Sequence, residues 1–309
     1  MTSWYSDNQE SARAFIHATS SWTTKGIPAW ASAFCSGAPL WTTLADQDSG
    51  NDISRSIVLI DYSELSQFDT VLSLLKNGAD LPDALVCLAL SGSKFRGQRH
   101  RPWSALAGNL HLTAYYRLGL PARDIQTALT MIPAISSAQA ITEVSDGQIL
   151  PGIKWVNDIM VERCKVSGVL TATQLSGEIV DGAVFGIGMN IKEKPEIEPT
   201  PFVKAAGNLG MFYPVMSDAL PEMFHAVVRF LDSAVEDLRN GRRDKIFEMY
   251  RRYSAFVGRE VQIWPEGTED WLNTPPIARG KVKRLHPDLS LEMEGTGQIV
   301  RSGRMALMD

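Results

Sequence analysis

The apolar positions change period several times along the chain, and each change marks an expected element. Ile57–Asp61 is a short strand run. Phe68, Val71, Leu72, Leu74 and Leu75 partly follow helical spacing, so a helix is expected over Phe68–Lys76, capped by Ser66 and stopped at Gly78. Ala84–Leu90 is a continuous apolar run, the pattern of a buried strand, and Asn109–Tyr116 alternates like a strand. A helical region is expected from Ala122 to about Val144, kinked or divided at Pro133, because proline lacks the N–H and its ring clashes with the preceding turn. Ile153–Val156, Ile159–Val161, Gly168–Leu175 and Ile179–Ile191 read as successive strands, with turns at Glu162–Arg163 and Ser176–Gly177. A proline-rich loop over Lys192–Gly210 leads to a long amphipathic helix, with Ser217 as cap and Asn240–Gly241 as stop. Arg243–Tyr253 forms another helix.

Both ends break this pattern. Trp4, Trp22, Trp30 and Trp41 crowd into a stretch rich in Ser, Thr and Ala, and tryptophan at that density implies burial against something. No pair of amphipathic helices with a basic recognition face is visible there. From Val257 onward the chain reads as short strands, Glu260–Trp264, Ala278–Leu285, Ser290–Glu294 and Gln298–Arg301, separated by Pro, Gly and Asp turns. That spacing suggests a small appended β-barrel.

Composition narrows the class. At 309 residues there is room for one large domain and a small one, and 44% apolar residues suffice for a substantial core. A net charge of −5 argues against a general nucleic-acid binder while leaving room for a local basic site. Cys35, Cys87 and Cys164 have no metal-binding or redox spacing, so free thiols in a reducing compartment are expected. The start MTSWYSDNQE has no basic-then-apolar signal pattern and no run is long enough to span a membrane, so the expected location is cytoplasmic.

Two stretches carry candidate chemistry. The first puts Lys154, Asn157, Asp158 and Lys165 within twelve residues on tightly joined strands, which brings them to one sheet edge. Two cations beside an amide and a carboxylate suit a polyphosphate with its Mg²⁺; the same residues also suit a hairpin with solvated charges. The second runs Ser91–Thr113, where Arg96, Arg99 and Arg101 surround Gly97 and Gln98. Guanidinium forks on a segment whose backbone can approach a ligand fit phosphate or carboxylate, and Trp103 fits an apolar group or a purine ring; a basic surface loop has the same composition. Gly186 and Gly188, beside Asn190 in a strand-like run, imply a bulge or a close approach. His17, His100, His111, His225 and His286 show no metal-ligand spacing.

Taken together, FRGQRHRPW, GNLHL, KWVND, Lys165 with VSGVL, and GIGMN occur in the order and spacing of the biotin–protein ligases, which the chain resembles over about residues 57–309. The resemblance implies an α+β fold: a catalytic domain on a mixed β-sheet over 57–254 and an SH3-like barrel over 255–309. Residues 1–56 lie outside the resemblance and, from their tryptophans, are expected as an extension packed on the core, with no DNA-binding domain of the repressor type expected there. It implies a two-step reaction, in which a carboxylate attacks the α-phosphate of ATP to give an acyl-adenylate, and a lysine of a carboxyl carrier protein then displaces AMP. Lys165 matches the lysine at the ligand carboxylate and α-phosphate, Arg96, Gly97 and Gln98 match the loop over the adenylate, and Arg99 belongs to the implied ligand site. Asn157, Asp158 and Asn190 match nucleotide-binding positions, with Asp158 at Mg²⁺. Ser66, Gln67 and Phe68 fall where the family places a Ser-Thr-Asn run on the ligand's ring. Trp103 would pack near the adenine or the ligand tail. Gly92, Gly108, Asn109, Lys154, Gly168 and Gly188 complete the implied ligand site. A homodimer is implied by analogy, and no DNA or membrane partner is expected.

The departures are concentrated at the ligand rather than at the phosphates. Phe95 and His100 replace loop glycines, Gln98 stands where many members have Arg, and Gly92 stands where a Gln commonly touches the ligand. Val156 replaces the proline of KWPND, and Thr171–Ala172 follow Val169–Leu170 where a Glu is common. Gln67–Phe68 in place of Thr-Asn rewrites the hydrogen bonding around a ureido ring. The expectation is an ATP-dependent carboxylate–protein ligase, with biotin as the leading ligand. Lipoate or octanoate ligation is one alternative, and a non-catalytic binding protein on the same scaffold is the other.

Overall fold

In the computed structural model, which describes residues 2–16, 21–35, 37–45 and 54–308, a wide mixed sheet organises the chain. Its elements in chain order are β1 (Thr2–Ser6), α1 (Gln9–Arg13), β2 (Trp41–Ala45), β3 (Arg55–Leu65), α2 (Gln67–Lys76), β4 (Leu85–Lys94), β5 (Leu110–Pro121) and α3 (Ala122–Val144). They continue through β6 (Pro151–Lys154), β7 (Asp158–Val161), β8 (Cys164–Ser176), β9 (Ile179–Met189), β10 (Ala205–Ala206), α4 (Leu209–Phe212), α5 (Leu220–Arg239) and α6 (Arg243–Tyr253). The strands lie in the order β2-β1-β3-β4-β5-β9-β8-β7-β6, with β10 beside β8. β1–β3, β3–β4 and β10–β8 pair parallel and the remaining neighbours antiparallel.

Alternation along the strands sorts the two faces. Ile57, Leu59, Val86, Leu88, Leu110 and Leu112 point into the main core with α3, α5 and α6. Val58, Ile60, Leu85, Cys87, Tyr115 and Val184 point the other way, under α2 and the turn Ala31–Phe34. That second cover stops short of the β8 and β7 side, and the floor it leaves bare is where the candidate site lies.

The amino-terminal stretch extends the sheet rather than lying on it: β1 adds in parallel to β3 and β2 closes the edge, with Trp4 buried beneath α5. His17 falls outside the described residues. At the other end, β11 (Glu260–Trp264), β12 (Ala278–Leu285), β13 (Leu291–Met293), β14 (Ile299–Val300) and β15 (Arg304–Leu307) form a five-stranded antiparallel sheet, ordered β14-β13-β12-β11-β15. β15 carries no run long enough to announce itself in the sequence. Among the described residues, no helix is long and apolar enough to cross a membrane, and Cys35, Cys87 and Cys164 are all free.

Two expectations are corrected. Pro133 does not divide α3, which runs unbroken. Proline removes the N–H that would reach Leu129 O, and the Thr171 hydroxyl of β8 donates to that carbonyl at 3.2 Å instead. Ser217 does not cap α5: it lies in a 3₁₀ turn, Pro214–Asp218, and the helix begins after Ala219 with Pro221 in its first turn, where a missing N–H costs nothing.

Candidate functional site

The KWVND turn between β6 and β7 is pinned from three sides. The Trp155 indole N–H donates at 2.9 Å to Leu289 O, in the turn between β12 and β13, and the Tyr250 hydroxyl of α6 donates to Val156 O at 2.8 Å. Asn157 Nδ2 donates to Val169 O at 2.9 Å. The held turn places Lys154 directly opposite Asp158 across the strand pair.

Lys165 joins them because of a bulge. Asp158 pairs with Gly168, but the register then slips so that Met160 faces Lys165 rather than Val166. In unbroken register Lys165 would point to the opposite face; the extra residue turns it onto the face of Asp158. Lys165 Nζ then lies 2.6 Å from Asp158 Oδ1, and Lys154 Nζ lies 3.1 Å from Oδ2. Lys154 also donates to Phe202 O. Burial opposes the charge on Asp158, but the ammonium groups of Lys165 and then Lys154 outweigh it and hold the carboxyl well below the usual range. Burial pulls the Lys154 ammonium down, with Asp158 countering.

The floor of the site follows from the strand ladder. One row runs Asp158, Gly168, Gly188, His111 across four strands, and the next on the same face runs Leu170, Gly186, Thr113. The glycines let rings lie against the backbone: a Cβ on Gly188 would sit 2.4 Å from the Trp103 indole, and one on Gly186 would sit 2.9 Å from the Phe68 ring. The close approach is thus by the chain's own aromatics. Trp103 is fixed by its indole N–H to His111 Nδ1 at 3.4 Å, and His111 Nε2 bonds Leu106 O at 3.0 Å. Burial pushes the His111 pKa down to about 4, so the ring is neutral at physiological pH.

The basic loop folds back on itself. Trp103 N–H donates to Phe95 O at 2.9 Å and Gly97 N–H to Arg101 O at 2.7 Å. Arg99 and His100 turn the corner with φ of 59° and 58°, a left-handed geometry that a Cβ disfavours. Arg99 forms an ion pair with Glu266, in the turn after β11 of the carboxy-terminal sheet. From the same sheet, Arg304 enters the site, its guanidinium 3.7 Å over the Phe202 ring. Burial, with Arg101 and Arg99 nearby, lowers the Arg304 pKa to about 10.

These walls enclose a cavity of about 370 Å³, within the range of small-molecule sites. Of the residues singled out in the sequence, Ser66, Gln67, Phe68, Arg96, Gly97, Gln98 and Trp103 line it, as do Asn157, Asp158, Lys165, Gly168, Gly188 and Asn190. Arg99 and Lys154 line an adjoining cavity of about 210 Å³, which shares Gln98, Arg101, Asn157, Asp158, Lys165 and Arg304.

Gly92, Gly108 and Asn109 are not brought to either cavity. A Cβ on Gly92 would meet the Phe95 ring at 2.3 Å and Ser63 O at 2.4 Å, so this glycine makes room for Phe95. Gly108 packs on the Lys192 side chain. Asn109 is fully buried and its Oδ1 accepts from the backbone N–H groups of Ile191, Lys192 and Glu193 at 2.9–3.0 Å, clamping the chain after β9. Arg304 was not anticipated, since its place depends wholly on how the terminal sheet docks. Asp158 does not fit a Mg²⁺ site as arranged: each of its oxygens meets an ammonium group, and the described residues contain no group of three or more metal-ligating side chains.

Residues 66–190 match the Biotin/lipoate A/B protein ligase family. The chain carries a domain of that family. The domain is 30% identical over 131 residues to the bifunctional ligase/repressor BirA of Bacillus subtilis (strain 168), a stretch covering 42% of this chain and 39% of that protein. It is 32% identical over 122 residues to a biotin–[acetyl-CoA-carboxylase] ligase of Paracoccus denitrificans, covering 37% of this chain and 50% of the relative. The chain thus spans less than two thirds of either relative. In structure, a biotin protein ligase from Aquifex aeolicus in complex with biotin and ATP superposes with a TM-score of 0.59 at 19% identity, covering 82% of this chain and 98% of that one. A biotin protein ligase-like protein of unknown function from Silicibacter sp. TM1040 gives 0.55 at 13% identity, covering 76% and 89%. At these identities the likeness is one of fold.

Proposed function

We propose that the ligase domain activates a carboxylic acid with ATP and passes the acyl group to a protein lysine, with biotin as the acid. The observation that carries this reading is the Lys154–Asp158–Lys165 constellation, grouped with Arg101 and Arg304, in a cavity that Arg96 also lines and whose floor continues into apolar wall. An adenylation site needs fixed positive charge where an α-phosphate gathers negative charge, and a dry channel for the rest of the acid.

In the first step a carboxylate oxygen forms a bond to the α-phosphorus and the bond to the bridging oxygen breaks, releasing pyrophosphate. Lys165 is the cation for the α-phosphate oxygens and the incoming carboxylate. Asp158 keeps it aimed, and Lys154 meets the second oxygen of the Asp158 carboxylate. The arginines from the basic loop and from β15 neutralise the leaving pyrophosphate. Trp103 and the loop residues Arg96, Gly97 and Gln98 cover the mixed anhydride against water. In the second step the amine of an acceptor lysine attacks the acyl carbonyl, AMP leaves and the amine gives up a proton. The acceptor is a lysine of a carboxyl carrier domain, met in the cytoplasm. We propose a division into an extension (1–56), a catalytic domain (57–254) and a carboxy-terminal domain (255–309), the last contributing Arg304 to the site.

ATP–pyrophosphate exchange tests the reading, with biotin, lipoate and octanoate run in parallel. Exchange is expected with biotin; its absence with all three acids would remove the ligase assignment, and exchange with another acid alone would change the substrate.

A further inference from the structure

His111 stands in the cavity wall, 3% exposed, and both of its ring nitrogens are taken by the basic loop. Leu106 O can only accept, so the Nε2 atom 3.0 Å away carries the ring proton. Nδ1 is then the acceptor for the Trp103 indole N–H at 3.4 Å. The Phe95 ring packs edge-on to the imidazole at 5.7 Å between centroids. The main chain of the loop is paired without His111: Trp103 N–H donates to Phe95 O at 2.9 Å, and Gly92 N–H to Ala105 O at 3.0 Å. What the imidazole adds is the direction of the indole.

That direction matters at Lys165. From its N–H on His111, the indole crosses Gly188, where a Cβ would sit 2.4 Å from it, and reaches Gly168, where a Cβ would sit 3.6 Å from Trp103 Cζ3. Lys165 Nζ lies 5.9 Å from the ring centroid. The indole therefore runs along the strand row from His111 toward the lysine. No nitrogen of His111 is left over for a ligand, so the residue acts on the site through Trp103.

We infer that His111 is a positioning residue, which in its Nε2–H form holds Trp103 across Gly188 as the wall beside Lys165 and so sets how long the mixed anhydride is kept from water. Where that wall loosens, water adds to the acyl carbonyl, the bond to the phosphate oxygen breaks, and free acid and AMP leave with a proton released to solvent. The loss of anhydride rests on the adenylating-ligase reading, whereas the clasp on Trp103 rests on the hydrogen bonds alone.

Two variants of the full chain separate hydrogen bonding from packing. His111→Phe keeps a ring against Phe95 and loses both nitrogens; His111→Asn loses the ring and keeps an oxygen in the place of Nδ1 to accept from Trp103. With ATP and biotin and no acceptor protein, the readout is the rate of AMP release divided by the rate of pyrophosphate exchange. His111→Phe is expected to raise this ratio about tenfold, and His111→Asn by less than about threefold. In a Trp103→Phe background His111→Phe should add nothing, because the two act as one unit. A ratio unchanged in His111→Phe, a larger rise in His111→Asn than in His111→Phe, or additive effects with Trp103→Phe would overturn the inference. Nitrogen-15 spectra of the same proteins without ligand read the clasp itself. The His111 ring is expected as Nε2–H, and the Trp103 indole N–H, assigned by its loss in Trp103→Phe, is expected to exchange with solvent about tenfold faster in His111→Phe. A proton on Nδ1, or indole exchange unaltered in His111→Phe, would also overturn it. A clasp seen in these spectra without pyrophosphate exchange for any acid would instead remove the ligase reading and leave the positioning of Trp103 standing.

Discussion

At one end of the cavity a carboxylate is held between two ammonium groups, and at the other a carboxamide nitrogen is buried with no hydrogen-bond partner among the described residues. The difference is one of where the binding free energy is stored. At the Asp158 end the charges satisfy each other in advance, so the site presents a fixed field and needs no rearrangement when charge develops. At the Gln67 end a buried donor stands at the cavity wall with its hydrogen bond unmade, which is costly unless a group in the cavity accepts from it.

The contrast breaks most sharply at Asp158. In Asp158→Ala, Lys154 is left buried beside Lys165 with no counter-charge, and a loss of about 3–5 kcal/mol in unfolding free energy is expected from urea denaturation. Little change would mean that the hydrogen bond to Phe202 O is enough to hold Lys154 without a counter-charge. Lys165→Ala should act on the chemistry instead: pyrophosphate exchange falls about 10²- to 10³-fold, while the thermal midpoint stays within a few degrees because Asp158 keeps Lys154. Normal exchange in that variant would remove Lys165 from the reaction. A smaller effect belongs to His111, which ends the strand row that begins at Asp158. Its folded pKa is near 4 against about 6.5 for a free side chain. The unfolded chain therefore binds the extra proton first as pH falls. This stability contribution is complete above about pH 6.5 and declines as pH falls through 4, by about 3 kcal/mol in all. Urea titrations across that window should show the slope, and His111→Asn should lack this share of it.

The fold was legible where one residue pattern met one structural demand. The apolar run at Ala84–Leu90 became β4, and Ser66 caps α2 by the hydrogen bond its position suggested. Arg243–Tyr253 and Ala278–Leu285 have the bounds read from their patterns. Legibility failed where a distant partner decides. Pro133 looks like a break until Thr171 is seen to serve the freed carbonyl, and β15 is visible only once β11 lies beside it. The site behaves the same way. Lys154, Asn157, Asp158 and Lys165 sit close in sequence and were found together. Gly92, Gly108 and Asn109 sit in equally conspicuous motifs, yet they shape backbone and packing, and nothing local separates a glycine that admits a ligand from one that admits Phe95. The unusual burial of Gln67 could not be read from its sequence position, because it arises from Phe68 and the sheet floor closing around it.

The bond from Thr171 to Leu129 O has a wider consequence. Along most of a helix every carbonyl is already engaged, so a helix packed on a sheet can slide or rotate by small steps at little cost. Here the helix offers one free acceptor, and the sheet offers one hydroxyl to meet it. The pair acts as a keyway, fixing the axial position of α3 on β8, the strand that also carries Lys165 and Gly168.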